Sequence, residues 1–213
     1  MAGRPSPSLV QFMPLWLALI CGAASLVLLV GGWVLGFEWL VRFDPASRAM
    51  VPTTAVCFLL LSSALVLGWT CEGQKAWLAY RLVYGTIAIA VLNICDAILL
   101  GGSRIDALLV SSLLPDDGMS VAAAVGMLMA SYCILALMAP ENPDQDAPIY
   151  FAILGLSTSV AILVAFLFDA SSLQEVYFFR ALSTQSAILF GVLFAAVLAY
   201  PVDRLGTEVY RRS

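Results

Sequence analysis

The chain has 213 residues, of which 62% are apolar and 11% charged, and its mean hydropathy is +0.98. A soluble domain is about 45–50% apolar and about 25% charged, so this chain has too little polar surface to face water all round and belongs in a bilayer. It contains no histidine, which excludes histidine-ligated haem, most catalytic zinc sites and Ser/His/Asp machinery.

The formal charge of −4 comes with one lysine, Lys75, and no basic patch, so no nucleic-acid partner is expected. Cys21, Cys57, Cys71, Cys95 and Cys133 stand singly in or beside apolar text. Without a CxxC pair they read as small apolar side chains.

Six apolar runs approach the roughly 20 residues that a helix needs to cross a bilayer. They cover 10–34, 51–69, 79–100, 120–138, 149–168 and 181–200. Runs of this kind must be helical in lipid, where the backbone has to satisfy its own hydrogen bonds. The first run is too long for the apolar core of a cleavable signal peptide, so it reads as a span. The expected fold is an all-α integral membrane domain over residues 1–213, a six-helix transmembrane bundle.

An even number of spans puts both termini on one side. That side carries Arg4, Lys75, Arg81, Arg204, Arg211 and Arg212, against Arg42, Arg48, Arg104 and Arg180 on the other. The excess of cations predicts cytoplasmic termini, in the inner membrane of a bacterium. Trp33, Phe37 and Trp39 form one expected aromatic belt; Trp69, Trp77 and Tyr80 form the other.

The second, fourth and sixth runs begin alike. Met50-Val-Pro-Thr-Thr-Ala-Val-Cys-Phe-Leu-Leu-Leu lines up with Met119-Ser-Val-Ala-Ala-Ala-Val-Gly-Met-Leu-Met-Ala. Both line up with Leu182-Ser-Thr-Gln-Ser-Ala-Ile-Leu-Phe-Gly-Val-Leu, at spacings of 69 (50 to 119) and 63 (119 to 182) residues. Ser120, Ser183 and Thr53 or Thr54 are suited to cap helix starts, and Pro52 suits a first helical turn. The chain therefore reads as three helical hairpins in tandem. The entry at Met50 resembles the multi-span N-terminal membrane region of some bacterial sensor histidine kinases and diguanylate cyclases. That resemblance implies a sensor-like membrane module; the ten residues after Asp203 leave no room for an output domain, so signalling catalysis is not implied.

Few residues offer chemistry. Asp96 lies about 6 Å inside the third run, at 1.5 Å per residue, with Asn93 on the same helical face. A carboxylate at that depth is a candidate functional group. The alternative is a structural acid near the interface, and the absence of a second acid at comparable depth favours it. Gly32 and Gly36 form a GxxxG pair suited to close helix approach, either within the bundle or against a partner. Ala122 with Gly126, and Ala187 with Gly191, repeat the small-residue spacing. The stretch from Arg104 to Leu114 places Ile105, Leu108, Leu109 and Leu113 on one face, as an interfacial amphipathic helix would. It is either a docking surface or a lid over the hairpin tops.

No phosphate cradle, catalytic carboxylate pair, metal cluster or nucleophile elbow is evident, so neither catalysis nor a cofactor is expected. The expected role is contact with other integral membrane subunits, as an accessory subunit of a larger complex or a sensor-like module. A small transporter or channel, or a ligand-sensing membrane protein, is the alternative. The topology is open to a direct check: a reporter enzyme active only in the periplasm, fused to Ser213, should stay silent.

Overall fold

The computed structural model describes residues 12–42, 48–70, 76–99, 106, 118–139, 146–168 and 182–200. Among them every regular element is a helix: α1 (Met13–Val27), which continues as a π-helical segment (Leu28–Val34), α2 (Glu38–Val41), α3 (Pro52–Thr70), α4 (Ala76–Leu99), α5 (Val121–Met138), α6 (Ala147–Phe168) and α7 (Thr184–Leu198). The ends follow local chemistry. Pro14, Pro52 and Pro148 occupy first turns, where a missing N–H costs no hydrogen bond. Ser120 and Ser183 cap α5 and α7 by accepting from the Ala123 and Ser186 amides.

Five helical stretches are long and apolar enough to cross a membrane: Met13–Val34, Pro52–Thr70, Trp77–Leu99, Val121–Met138 and Ala147–Phe168. The sixth expected span is shorter. Helix α7 has 15 residues, about 22 Å at 1.5 Å per residue, against a hydrocarbon core of about 30 Å. Its ends are set by the Ser183 cap and by a turn at Ala199 and Tyr200, inside the 20-residue apolar run.

The helices close into a ring in which α1 packs on α3, α3 on α4, α4 on α5, α5 on α6, α6 on α7 and α7 back on α1. Inside that ring α3, α5 and α7 also touch one another. These are the helices whose starts look alike in the sequence. Half of the apolar window of α3 and 44% of that of α5 is buried, against 22%, 28% and 22% for the spans that contain α1, α4 and α6. The outer helices turn large apolar groups outward, among them Trp16, Leu92, Ile98, Leu167 and Phe168. That is the surface lipid requires.

Burial recurs at the repeat spacing. Met50, Met119 and Leu182 are buried; so are Ala55, Ala124 and Ala187, then Phe58, Met127 and Phe190, and then Leu65, Ile134 and Val197. The first turns match bond for bond, with Ala55 N–H donating to the Val51 carbonyl (3.2 Å), Ala124 to Ser120 (3.0 Å) and Ala187 to Ser183 (3.1 Å). At the centre the Phe58 and Phe190 rings meet edge to face at 4.7 Å, and Phe194 stacks on Phe190 at 6.0 Å. Gly126 makes room for this ring cluster: a Cβ there would lie 2.8 Å from the Phe190 ring. Gly155 does the same for Phe194. The small residue at 126 therefore serves packing within the bundle.

Aromatic side chains tie down the opposite end of the ring. Tyr80 donates to the Met138 carbonyl (2.8 Å), Tyr200 donates to the Gly68 carbonyl (3.3 Å), and Trp69 meets Tyr200 edge to face at 5.3 Å. Arg81 stacks over the Trp77 ring at 3.8 Å.

If the central rings hold the inner helices together, Phe58→Ala should cost about 3–5 kcal/mol through the cavity it leaves. Phe168→Ala, at a side chain 87% exposed, should change stability by less than about 0.5 kcal/mol. Thermal unfolding in detergent compares the two.

Candidate functional site: a buried polar cap over the helix starts

The starts of α3, α5 and α7 gather the buried polar side chains Thr53, Thr54, Ser120, Ser183, Gln185 and Ser186, with Asp106 among them. A helix start leaves backbone N–H groups without intrahelical acceptors, and burial makes each one costly. Ser120 and Ser183 answer this for α5 and α7 with their own hydroxyls, at 3.0 and 3.2 Å from the Ala123 and Ser186 amides. The matching residue ahead of α3 is Val51, which has no acceptor to offer.

Asp106 supplies it from elsewhere in the chain. Its Oδ1 accepts from the Thr53 hydroxyl (2.6 Å) and the Thr53 amide (3.4 Å), and its Oδ2 accepts from the Met119 amide (3.0 Å). One carboxylate, 1% exposed, thus bridges the beginnings of two inner helices. Gln185, which matches Thr53 in the repeat, makes a parallel link: its amide donates to the Leu40 carbonyl (3.4 Å). Met50 is held twice, its amide donating to the Val41 carbonyl (2.9 Å) and its carbonyl accepting from the Trp33 indole N–H (3.0 Å). The ties to Asp106, Leu40 and Val41 each join a helix start to a residue that lies between the spans.

Burial pushes the Asp106 carboxyl above the usual carboxylate range. The bonds from Thr53 and Met119 oppose that push, and the charge of Asp96 adds to it. Because the folded value lies above the unfolded one, the stability linked to this group is complete at acid pH. It is lost as pH rises through the raised value.

Asp96 and Asn93 are both buried on α4, and Asn93 donates back to the Ile89 carbonyl (2.9 Å). Asp106 lies within electrostatic reach of Asp96. Asp106 stands ten residues further along the chain, and depth along one helix does not reveal it.

Gly32 and Gly36 have different surroundings. Gly36 has φ +75°, the left-handed conformation that ends a helix, and nothing lies within 4 Å of a Cβ placed there. The Phe37 amide reaches back to the Gly31 carbonyl (3.0 Å), and α2 folds against the π segment so that Val41 fills the space beside Gly32. The two glycines lie at a chain reversal, where Gly32 allows close packing within the chain. Leucine at Gly32 would collide with Val41, so it is expected to disrupt the monomer itself. Arg104, Leu108 and Leu109, with the rest of the amphipathic stretch apart from Asp106, lie outside the described residues.

Sequence reasoning passed over Asp106 because it sits in that stretch and was read with its apolar neighbours. The usable signal was the contrast between Val51 and the serines at 120 and 183. No group of three or more metal-binding side chains occurs among the described residues. No family model, curated protein or solved structure matches the chain.

Replacing Asp106 by alanine leaves two amides and a hydroxyl without their acceptor, and should cost about 2–3 kcal/mol. Ser120→Ala removes one local cap and should cost about 1 kcal/mol. Chemical denaturation in detergent at fixed pH ranks the two.

Proposed function

We propose that the chain is a six-span module of three tandem helical hairpins in the bacterial inner membrane, with both termini cytoplasmic, and that it acts by contact with another integral membrane protein. In this reading α7 and its flanking residues make the sixth crossing. The recurrence of burial at Phe58, Met127 and Phe190 supports the hairpin repeat. The likeness of the Met50 entry to sensor membrane regions suits the same role, since a sensing module must pass its state to a neighbour.

One observation carries the contact reading. The outer flank holds an open groove of about 440 Å³ between α1 and α3, with Ala18, Gly22, Ala23, Ser62 and Ser63 among the residues that line it. Small side chains let a further helix approach closely, and in lipid that approach is what drives association. The groove lies midway along both helices, at the depth where a partner's span would run. Gly22 serves the bundle, since a Cβ there would meet the Ser62 hydroxyl at 2.8 Å, whereas Ala23 is exposed in the groove.

A transport role has less support. Polar side chains within the spans bond to the carbonyl four residues back: Ser25 to Cys21, Ser62 to Phe58, Thr86 to Leu82, Asn93 to Ile89 and Ser159 to Gly155. Such groups are turned onto their own helix instead of lining a path. Aromatic rings fill the bundle centre where a path would have to pass.

The contact reading predicts that Ala23→Leu fills the groove and lowers co-purification of the partner from native membranes about tenfold, a loss of about 1.4 kcal/mol. Stability of the isolated protein should stay within about 0.5 kcal/mol of wild type. A wild-type protein that extracts alone from native membranes overturns the reading.

A further inference from the structure

We propose that Arg81, seated on Trp77 with Tyr84 one turn deeper, binds the headgroup of one anionic phospholipid, whose acyl chains lie along the outer face of α4. The proposal is independent of the groove, which lies between α1 and α3.

Helix periodicity assembles the site. Trp77, Arg81 and Tyr84 follow one another at spacings of four and three residues, so they share one face of α4, and all three are exposed. That face continues through Ala88, Val91 and Leu92 to Leu99, all exposed and uncharged. A cation flanked by aromatic rings thus heads an apolar track that runs the length of the helix.

The depth is that of a lipid headgroup. From Leu99 back to Arg81 is 18 residues (99 less 81), about 27 Å at 1.5 Å per residue, against a hydrocarbon core of about 30 Å. With Leu99 at one boundary of the hydrocarbon, the Arg81 backbone lies close to the other. The guanidinium sits 3.8 Å from the centre of the Trp77 ring, four residues toward the helix start. The side chain therefore runs outward along the helix and carries its charge toward the phosphates.

The chemistry selects the occupant. Stacking uses one face of the guanidinium and leaves the N–H groups at its edge as a fork that fits two phosphate oxygens. The indole face that Arg81 covers is closed to the ammonium of a zwitterionic headgroup, and the guanidinium repels that ammonium. An anionic phosphodiester suffers neither penalty. Arg81 and Asp96 are the charged residues of α4, and Asp96 lies 15 residues (96 less 81), about 22 Å, further along it. Tyr84 adds a phenol hydroxyl one turn deeper, at the interfacial level where such rings gather.

The test titrates the full chain in mild detergent with phosphatidylglycerol and phosphatidylcholine of equal chain length, and counts bound lipids by native mass spectrometry. The first lipid bound should be phosphatidylglycerol, preferred about fivefold, the factor that one basic residue near an anionic surface supplies. Arg81→Gln should bring the preference to parity. Arg48→Gln removes the same charge ahead of α3, at the other end of the bundle, and should leave the preference as it is. Excess glycerol 3-phosphate should not displace the lipid, because the track along α4 holds the acyl chains. The inference is overturned by a wild type without preference, by a preference that survives Arg81→Gln, or by an equal loss in Arg48→Gln. Displacement by glycerol 3-phosphate overturns it as well, since the site would then take a free phosphate. If Arg81→Gln does not fold, Trp77→Leu decides: it unseats the guanidinium and should at least halve the preference, and an unchanged preference overturns the site.

Discussion

A buried helix start cannot leave its amides without acceptors, and the arrangement of this bundle depends on how three such starts are satisfied. Water is absent from the hydrocarbon and scarce at the gathered ends of α3, α5 and α7, so the acceptors must come from the chain. Two starts carry their own serine. The third carries Val51 and borrows the Asp106 carboxylate, which is also spent on Met119. The borrowing ties a connecting segment to two inner helices, where a local cap would have tied nothing. A substitution of one side chain at the cap position thus turns a local contact into a tertiary one.

The same economy in polar groups shapes the interior. Ser25, Ser62, Thr86, Asn93 and Ser159 bond to their own helices, and the centre is left to Phe58, Phe190, Phe194 and Met127. Ser131 is the exception, its hydroxyl buried with no hydrogen-bond partner among the described residues. Helix α3 borders both the polar cap and the groove beside α1.

Helix identity was legible from residue type alone: uncharged apolar runs of spanning length admit no other structure in lipid. Their boundaries were readable to within a few residues, since prolines and serines at the starts have fixed uses. The exceptions are instructive. The first run holds α1 and then widens into a π-helical segment, and the sixth shortens to 15 residues between the Ser183 cap and the turn at Ala199 and Tyr200. Candidate sites were harder to read. Asn93 and Asp96 were located by depth, but depth says nothing of what crosses over them.

What the residues determined by themselves was the solvent, the helical class, the local caps at Ser120 and Ser183 and the recurrence of Met50, Met119 and Leu182. Each of these depends on composition or on spacing within a few turns, which folding does not alter. Tertiary structure decided the partners. It placed Val41 against Gly32, which made a GxxxG pair into a reversal, and it carried Asp106 back to Thr53 and within electrostatic reach of Asp96. Contacts across 53 residues have no local signature, because they depend on how the connections close, and closure is settled only when all the helices have packed.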